Sequence, residues 1–176
     1  IRHPAAGTID EIAAMGIQKY GEIPKNLFLQ DHSGRHLFLL VIRSDKRADL
    51  KAIARQLPSS RLCFASEERL EQCLGLKKGA VTPLGLIHES GRAVKVLFDR
   101  DLKGLERAGF HPNDNHATVF LRFQDLCRLL EAYGHPCRFF NCIKFNQTGG
   151  NALPIDTILW DWNGTLLDDV DVAVAV

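Results

Sequence analysis

Two apolar runs, Leu27–Leu29 and Leu37–Ile42, flank the stretch Asp31-His32-Ser33-Gly34, and this arrangement constrains the fold more than any other feature of the chain. Bulky and β-branched residues on either side of turn-forming ones predict a β-hairpin. Lys25 and Asn26 stand at its lip, with no acidic residue nearer in sequence than Glu22. An ammonium at the mouth of an apolar pocket suits an anionic or ester-bearing ligand. The plain alternative is a strand-end lysine whose stem lies along apolar surface with its head in water. Parity limits the pair: in a strict strand Lys25 and Asn26 point to opposite faces, so both serve one site only if the strand begins after them.

The rest of the chain alternates helix and strand signals without repeats. Thr8 predicts a cap for a short helix through about Met15, with Asp10 and Glu11 in its first turn. Ser44 or Asp45 is expected to cap a helix with Leu50, Ile53, Ala54 and Leu57 on one face, stopped by Pro58. Leu62–Ala65 reads as a strand, and Ser66 as the cap of a helix turning Leu70, Cys73 and Leu74 inward. After a loop at Gly79–Gly85, strands are predicted at Leu84–His88 and Ala93–Phe98, turning at Ser90-Gly91. A helix is expected near Leu102–Ala108, and a strand at Val119–Phe123. Gln124–Tyr133 reads as a helix ended by Gly134, and Cys137–Phe140 as a closing strand. Hairpins mixed with helices indicate an α+β fold with a mixed, mostly antiparallel sheet.

Composition excludes several partners. Twenty-two basic residues against 21 acidic ones leave little global field, so contact with a long polyanion such as DNA is not expected and any nucleic-acid contact must be local. Hydrophobic content of 45% and charged content of 24% are ordinary globular values. No apolar run reaches the length of a membrane span. Cys63, Cys73, Cys127, Cys137 and Cys142 form no C-x-x-C pair, which favours buried reduced thiols and a cytoplasmic location. The chain opens at Ile1 rather than Met, so an N-terminal helix is expected to precede it.

Lys25-Asn26-Leu27-Phe28-Leu29 resembles the signature of the YbaK/ProX-type aminoacyl-tRNA editing domains, relatives of the insertion domain of bacterial prolyl-tRNA synthetases. Further segments fit in the same order: His3-Pro4 with Thr8, Ile9 and Glu11, then Asp45–Lys51, Phe64–Leu70, Gly79–Gly85, and Phe110-His111-Pro112 with Asn115, Ala117 and Thr118. Ordered blocks are more specific than any one of them. The resemblance covers residues 1–140 and is nearest to the free-standing members. It implies a mixed, mostly antiparallel sheet curled into a partial barrel with flanking helices. It also implies hydrolysis of mischarged tRNA, Ala-tRNA(Pro) first and Cys-tRNA(Pro) as the alternative, acting on the acceptor end and with prolyl-tRNA synthetase as a partner. A non-catalytic tRNA- or synthetase-binding module is the reading from a different class.

An aminoacyl ester is already activated. Its hydrolysis needs a placed water, stabilisation of the developing oxyanion and a pocket that sorts side chains, but no covalent nucleophile. The resemblance gives Lys25 the task of holding the terminal phosphate or ribose, and Asn26 can orient substrate or water. The Gly79-Ala80-Val81-Thr82-Pro83 loop offers backbone N–H groups to an oxyanion, or is an ordinary helix-to-strand turn. His111, in a polar loop with Asn115, is a pocket-lining residue by resemblance and a surface histidine otherwise. His116 and His135 read as structural. Arg47, Lys51 and Arg55 form a helical stripe and Lys77-Lys78 adjoin the glycine loop; each is a solvated surface or an acceptor-stem contact. No ligand spacing for a metal is visible, and no cofactor is expected. Substrate choice is expected to be steric and to exclude cognate proline.

After Phe140 the composition changes. Residues 141–154 read as a linker, and Ile155–Trp160 followed by Asp161-Trp162-Asn163-Gly164-Thr165 resembles the first strand and catalytic loop of a haloacid-dehalogenase-type phosphatase. Asp161 matches the nucleophile, while Asn163 stands where most members keep a second aspartate. The remaining catalytic parts do not follow, so residues 155–176 are expected to be inert as a phosphatase and dispensable for editing.

Overall fold

A computed structural model describes residues 1–57 and 61–140. Pro58, Cys142, the 141–154 linker and the phosphatase-like 155–176 segment with Asp161 and Asn163 lie outside the described residues.

The predicted hairpin is present. β1 (Lys25–Asp31) pairs antiparallel with β2 (Leu37–Ile42), with Lys25 opposite Ile42 and Gln30 opposite Leu37. Its turn is fixed by one carboxylate. Asp31 is 3% exposed and accepts from the N–H groups of Arg35 (2.9 Å) and His36 (3.2 Å), the Ser33 hydroxyl (2.8 Å) and His36 Nδ1 (2.8 Å). Those bonds, the His36 side chain's foremost, hold its pKa well below the usual carboxylate range. Gly34 supplies the left-handed residue the turn needs, at φ 67°.

α1 (Ile9–Ala14) leads into the hairpin, and after it come α2 (Leu50–Arg55), β3 (Leu62–Phe64), α3 (Glu67–Leu74) and β4 (Val94–Asp99). β5 (Arg107–Phe110), β6 (Val119–Arg122), α4 (Phe123–Ala132) and β7 (Arg138–Phe140) complete the described chain. The main sheet has the order β3-β1-β2-β4-β7, and β5-β6 form a separate antiparallel ribbon. β1 pairs antiparallel with both neighbours, whereas β2–β4 and β4–β7 are parallel. The sheet is open, with β3 and β7 as its edges.

Two cores form on its two faces, because alternate residues of each strand point opposite ways. Phe28, Leu39, Val41, Val96 and Phe98 meet α3, α4 and the β5-β6 ribbon. Leu27, Leu29, Phe38, Leu40, Ile42 and Leu97 meet Ile53 and Leu57 in and after α2. With apolar residues used on both faces, the β2 run is buried along its whole length.

Three local expectations are corrected. The α2 cap is Asp49, whose carboxylate accepts from the Ala52 N–H at 2.9 Å, not Ser44 or Asp45. Those two residues are held in a preceding turn, Ser44 by Glu22 and Asp45 by Arg43. Leu84–His88 is not a strand but part of a 3-10 helix, Pro83–His88. Thr82 caps it, Pro83 opens it with a preset φ, and Gly85 tucks beneath Leu76, where a Cβ would stand 2.7 Å from Leu76 Cδ1. The helix expected at Leu102–Ala108 is a single 3-10 turn, Arg100–Leu102, capped by Asp99, followed by strand β5. Gly109 decides this: Phe120 of β6 packs so close that a Cβ there would be 2.9 Å from its ring.

Cys63, Cys73, Cys127 and Cys137 are free thiols. No helix among the described residues is long and apolar enough to cross a membrane.

Candidate functional site

Gly79 organises the clearest concavity near the predicted residues. Its φ of 81° lies in the left-handed region, and a Cβ there would approach Gly7 Cα to 3.3 Å and Asn115 Nδ2 to 3.7 Å. Gly79, Asn115 and Lys78 meet Ala5, Gly7, Thr8 and Glu11 around an open cavity of about 340 Å³. Glycine is needed for two independent reasons, backbone conformation and the close approach of Gly7.

The opposite wall is the start of α1. Thr8 Oγ accepts from the Glu11 N–H at 3.1 Å, and Glu11 Oε2 accepts from the N–H groups of Gly7 (2.8 Å) and Thr8 (3.0 Å). These bonds, Gly7's first, pull the Glu11 pKa below its ordinary value, so a fixed carboxylate faces the cavity. The N-terminal segment is seated on the Asn115 loop: Ala6 N–H donates to Asn115 O at 3.1 Å and His3 N–H to His116 O at 2.9 Å. From sequence, Thr8 and Glu11 are a helix cap and its first turn, and with His3 they are positions that match the family. Sequence reasoning did not foresee that the first block forms a cavity wall, since residues so far apart share no local pattern.

Of the residues named from sequence, Gly79, Asn115 and Lys78 line this cavity, with Thr8 and Glu11 of the first matching block. Val81, Thr82 and Pro83 do not. Thr82 is fully buried with its hydroxyl accepting from Leu84 N–H at 3.4 Å, Pro83 is buried, and Val81 borders the larger core. His111 lies behind the Asn115 loop. Its Nδ1 faces Ala117 O at 2.9 Å, so the neutral ring carries its proton there and leaves Nε2 as an acceptor. His3 flanks it, with ring centroids 6.0 Å apart, and the His3 ring is itself bonded to Thr118 Oγ1 at 3.0 Å.

Lys25 and Asn26 stand elsewhere on the sheet end. Because β1 starts at Lys25, the two side chains take opposite faces, and the condition for both to serve one site is not met. Lys25 is on the α2 face, its ammonium donating to Lys46 O at 2.9 Å. Burial pushes its pKa below the ordinary lysine value, with Asp45, Arg47, Asp10 and Glu22 acting on the charge. Asp10, whose charge acts on Lys25, lies in α1 one residue before the cavity's Glu11. Asn26 turns toward the larger core. Its Oδ1 is buried without a partner, and its Nδ2 reaches only Pro24 O at 3.5 Å.

His111 gives a pH prediction. Burial outweighs its bond to Ala117 and lowers its pKa from the ordinary value. The folded state then favours the neutral ring. Its contribution is complete above about pH 6.5, the ordinary histidine value, and is lost as pH falls through the lower folded-state value. The melting temperature of the wild type minus that of His111→Gln should therefore shrink on acidification below pH 6.5. A difference constant between pH 8 and pH 5 would contradict it.

The family model for the aminoacyl-tRNA editing domain matches residues 3–129. The prolyl-tRNA editing protein ProX of Acetoanaerobium sticklandii is 42% identical over 135 residues, covering 77% of this chain and 82% of the relative. Prolyl-tRNA synthetase associated domain-containing protein 1 of Danio rerio is 35% identical over 137 residues, covering 77% of this chain and 74% of the relative. The solved structure of a candidate trans-editing enzyme for prolyl-tRNA synthetase superposes with a TM-score of 0.61 at 21% identity over 79% of this chain and 83% of that one, a likeness of fold alone. The matched span holds the α1 wall, the hairpin, the Gly79 loop and the His111 loop together, and on that match the chain belongs to the aminoacyl-tRNA editing domain family.

Proposed function

We propose that this chain hydrolyses mischarged tRNA(Pro) in trans, with Ala-tRNA(Pro) as its substrate. Family membership carries the reaction class, deacylation of an aminoacyl ester. The choice of tRNA is supported by relatives named for prolyl-tRNA editing, and by a proline–tRNA ligase of Limosilactobacillus fermentum that is 28% identical over 155 residues. The observation that carries the choice of a small amino acid is the Gly79–Gly7 approach. It helps bound a cavity of about 340 Å³ that Ala5, Gly7 and Gly79 line together with Thr8, Glu11, Lys78 and the Asn115 amide.

In this reading the terminal ribose and phosphate are held by Lys25, and the ester carbonyl meets the backbone of the Gly79 loop, whose N–H groups stabilise the oxyanion as water attacks. His111, neutral at pH 7, positions the Asn115 loop and the substrate rather than acting as the base. Asn26 supports the strand end from the other face. Val81, Thr82 and Pro83 set the path of the loop. The acceptor end of tRNA(Pro) is the partner, prolyl-tRNA synthetase supplies the mischarged substrate, and the reaction belongs in the cytoplasm. We assign editing to residues 1–140 and none of it to 155–176.

Deacylation of tRNA(Pro) charged in turn with alanine, cysteine, serine and proline tests the proposal. Alanine should be cleaved fastest and proline spared. One methylene in such a pocket is worth about 1–3 kcal/mol, or roughly 10–200-fold, so the ranking is measurable. Cysteine cleaved fastest would move the assignment to Cys-tRNA(Pro), and no turnover with any of the four would leave a binding module.

A further inference from the structure

Lys46 is a charge the fold has buried at some cost. It is 7% exposed, in the turn between β2 and α2. Its ammonium lies 2.6 Å and 2.8 Å from the two carboxylate oxygens of Asp99 and 2.9 Å from Asp101 Oδ2. Asp99 ends β4 and is 1% exposed. Burial opposes the ammonium, but the two carboxylates outweigh it and raise the Lys46 pKa, so the ion pair persists. Such a pair gives little net stability, since desolvation offsets most of the attraction. What it fixes is a place.

That place is the Lys46 carbonyl, which accepts the Lys25 ammonium at 2.9 Å. The turn that carries it is pinned at several points. Ser44 N–H donates to Glu22 Oε1 at 2.7 Å, Lys46 N–H to Arg43 O at 3.1 Å, and Arg43 Nε to Asp45 at 3.0 Å. We propose that Lys46 is a positioning residue: its ion pair with Asp99 and Asp101 holds the carbonyl that aims the Lys25 ammonium. This rests on the role given to Lys25 above. The charges that face Lys25 come from three segments, Asp45 and Arg47 in the same turn, Asp10 in α1 and Glu22 before β1. Asp10 and Glu22 lie outside the turn that Lys46 holds, whereas Asp45 and Arg47 flank Lys46, so loss of the ion pair changes the aim of Lys25 and the two charges of that turn together.

Removing Lys46 alone strands Asp99 as a buried charge and risks unfolding. The test therefore removes both with the paired change Lys46→Met and Asp99→Leu, alongside Lys46→Arg, with the fold checked by thermal melting. A mispositioned group costs on the order of 10–100-fold in rate. The paired variant should lose about that much kcat on Ala-tRNA(Pro), with KM within about twofold, and Lys46→Arg should recover most of it. In a Lys25→Ala background the paired change should cost nothing further, since both act through one ammonium. Reductive methylation mapped by mass spectrometry should modify Lys25 several-fold faster in the paired variant than in the wild type. An equal loss of rate in both backgrounds, or an unchanged methylation rate, overturns the proposal. A fully active Lys25→Ala instead overturns the role of Lys25 in editing and with it any effect of Lys46 on catalysis; faster methylation in the paired variant would then preserve only the clamp.

Discussion

Lys25→Ala should lower deacylation of Ala-tRNA(Pro) by about 10²–10³-fold, the loss usual when one fixed electrostatic group is taken from a reacting ester. Its cost to stability should be small. The bond from Lys25 to the Lys46 carbonyl has a charged donor, for which about 1.5–3 kcal/mol is usual, but burial disfavours the ammonium and offsets part of that. A melting temperature within a few degrees of the wild type and a collapse in turnover are the expected pair of results. Single-turnover deacylation and a thermal melt on the same preparation check it. Near-wild-type turnover would remove Lys25 from the site.

Gly79→Ala should damage both properties together. A left-handed alanine costs roughly 1–2 kcal/mol, and the new methyl must also displace Gly7 Cα, which stands 3.3 Å from where it would go. Backbone rather than a side-chain tip is in the way, so relief comes only by shifting the loop or the α1 wall. In a domain of this size the melting temperature should fall by about 2–4 °C for each kcal/mol. Rate should fall by on the order of 10²-fold, because a shift of about 1 Å misplaces the loop amides. Gly104, which has open space around its Cβ position and no positive φ, is the control, and alanine there should do little. Unchanged deacylation by Gly79→Ala would mean that the loop backbone does not meet the ester.

The hairpin was readable because its apolar runs and turn residues are contiguous, and so were the Thr8 and Ser66 caps, whose chemistry is local. Sequence reasoning failed where a distant partner decides the conformation. Asp49 wins the α2 cap because Glu22 and Arg43 hold Ser44 and Asp45 in the preceding turn. Leu84–His88 has strand-like composition, but Thr82, Pro83 and the space left beneath Leu76 set a 3-10 path. Residues 102–108 were assigned to a helix because nothing near them announces that Phe120 will lie on Gly109. The site divides the same way. Gly79, Asn115, His111 and Lys25 were singled out by the resemblance to the editing domains, since residue type and spacing alone fitted a strand-end lysine, an ordinary turn and a surface histidine as well, whereas Gly7 and Glu11 enter the cavity through tertiary placement. Lys46 is still less visible, since no sequence pattern says that a lysine in a polar turn will be buried on two aspartates.

The N-terminal segment lies across the end of the molecule, with Ile1 and His3 bonded to Thr118 over sequence separations of 117 and 115 residues. Closing so long a loop costs roughly 2 kcal/mol more than closing one of ten residues, at about 0.6 kcal/mol per doubling. The hairpin, by contrast, closes over a few residues and can form early. During synthesis at about 5–20 residues per second, the segment leading into the α1 wall is made early yet gains its hydrogen bonds to Asn115, His116 and Thr118 only when the 115–118 loop emerges. The cavity is therefore expected to close late, after the hairpin that carries Lys25 has formed and the 115–118 loop has emerged.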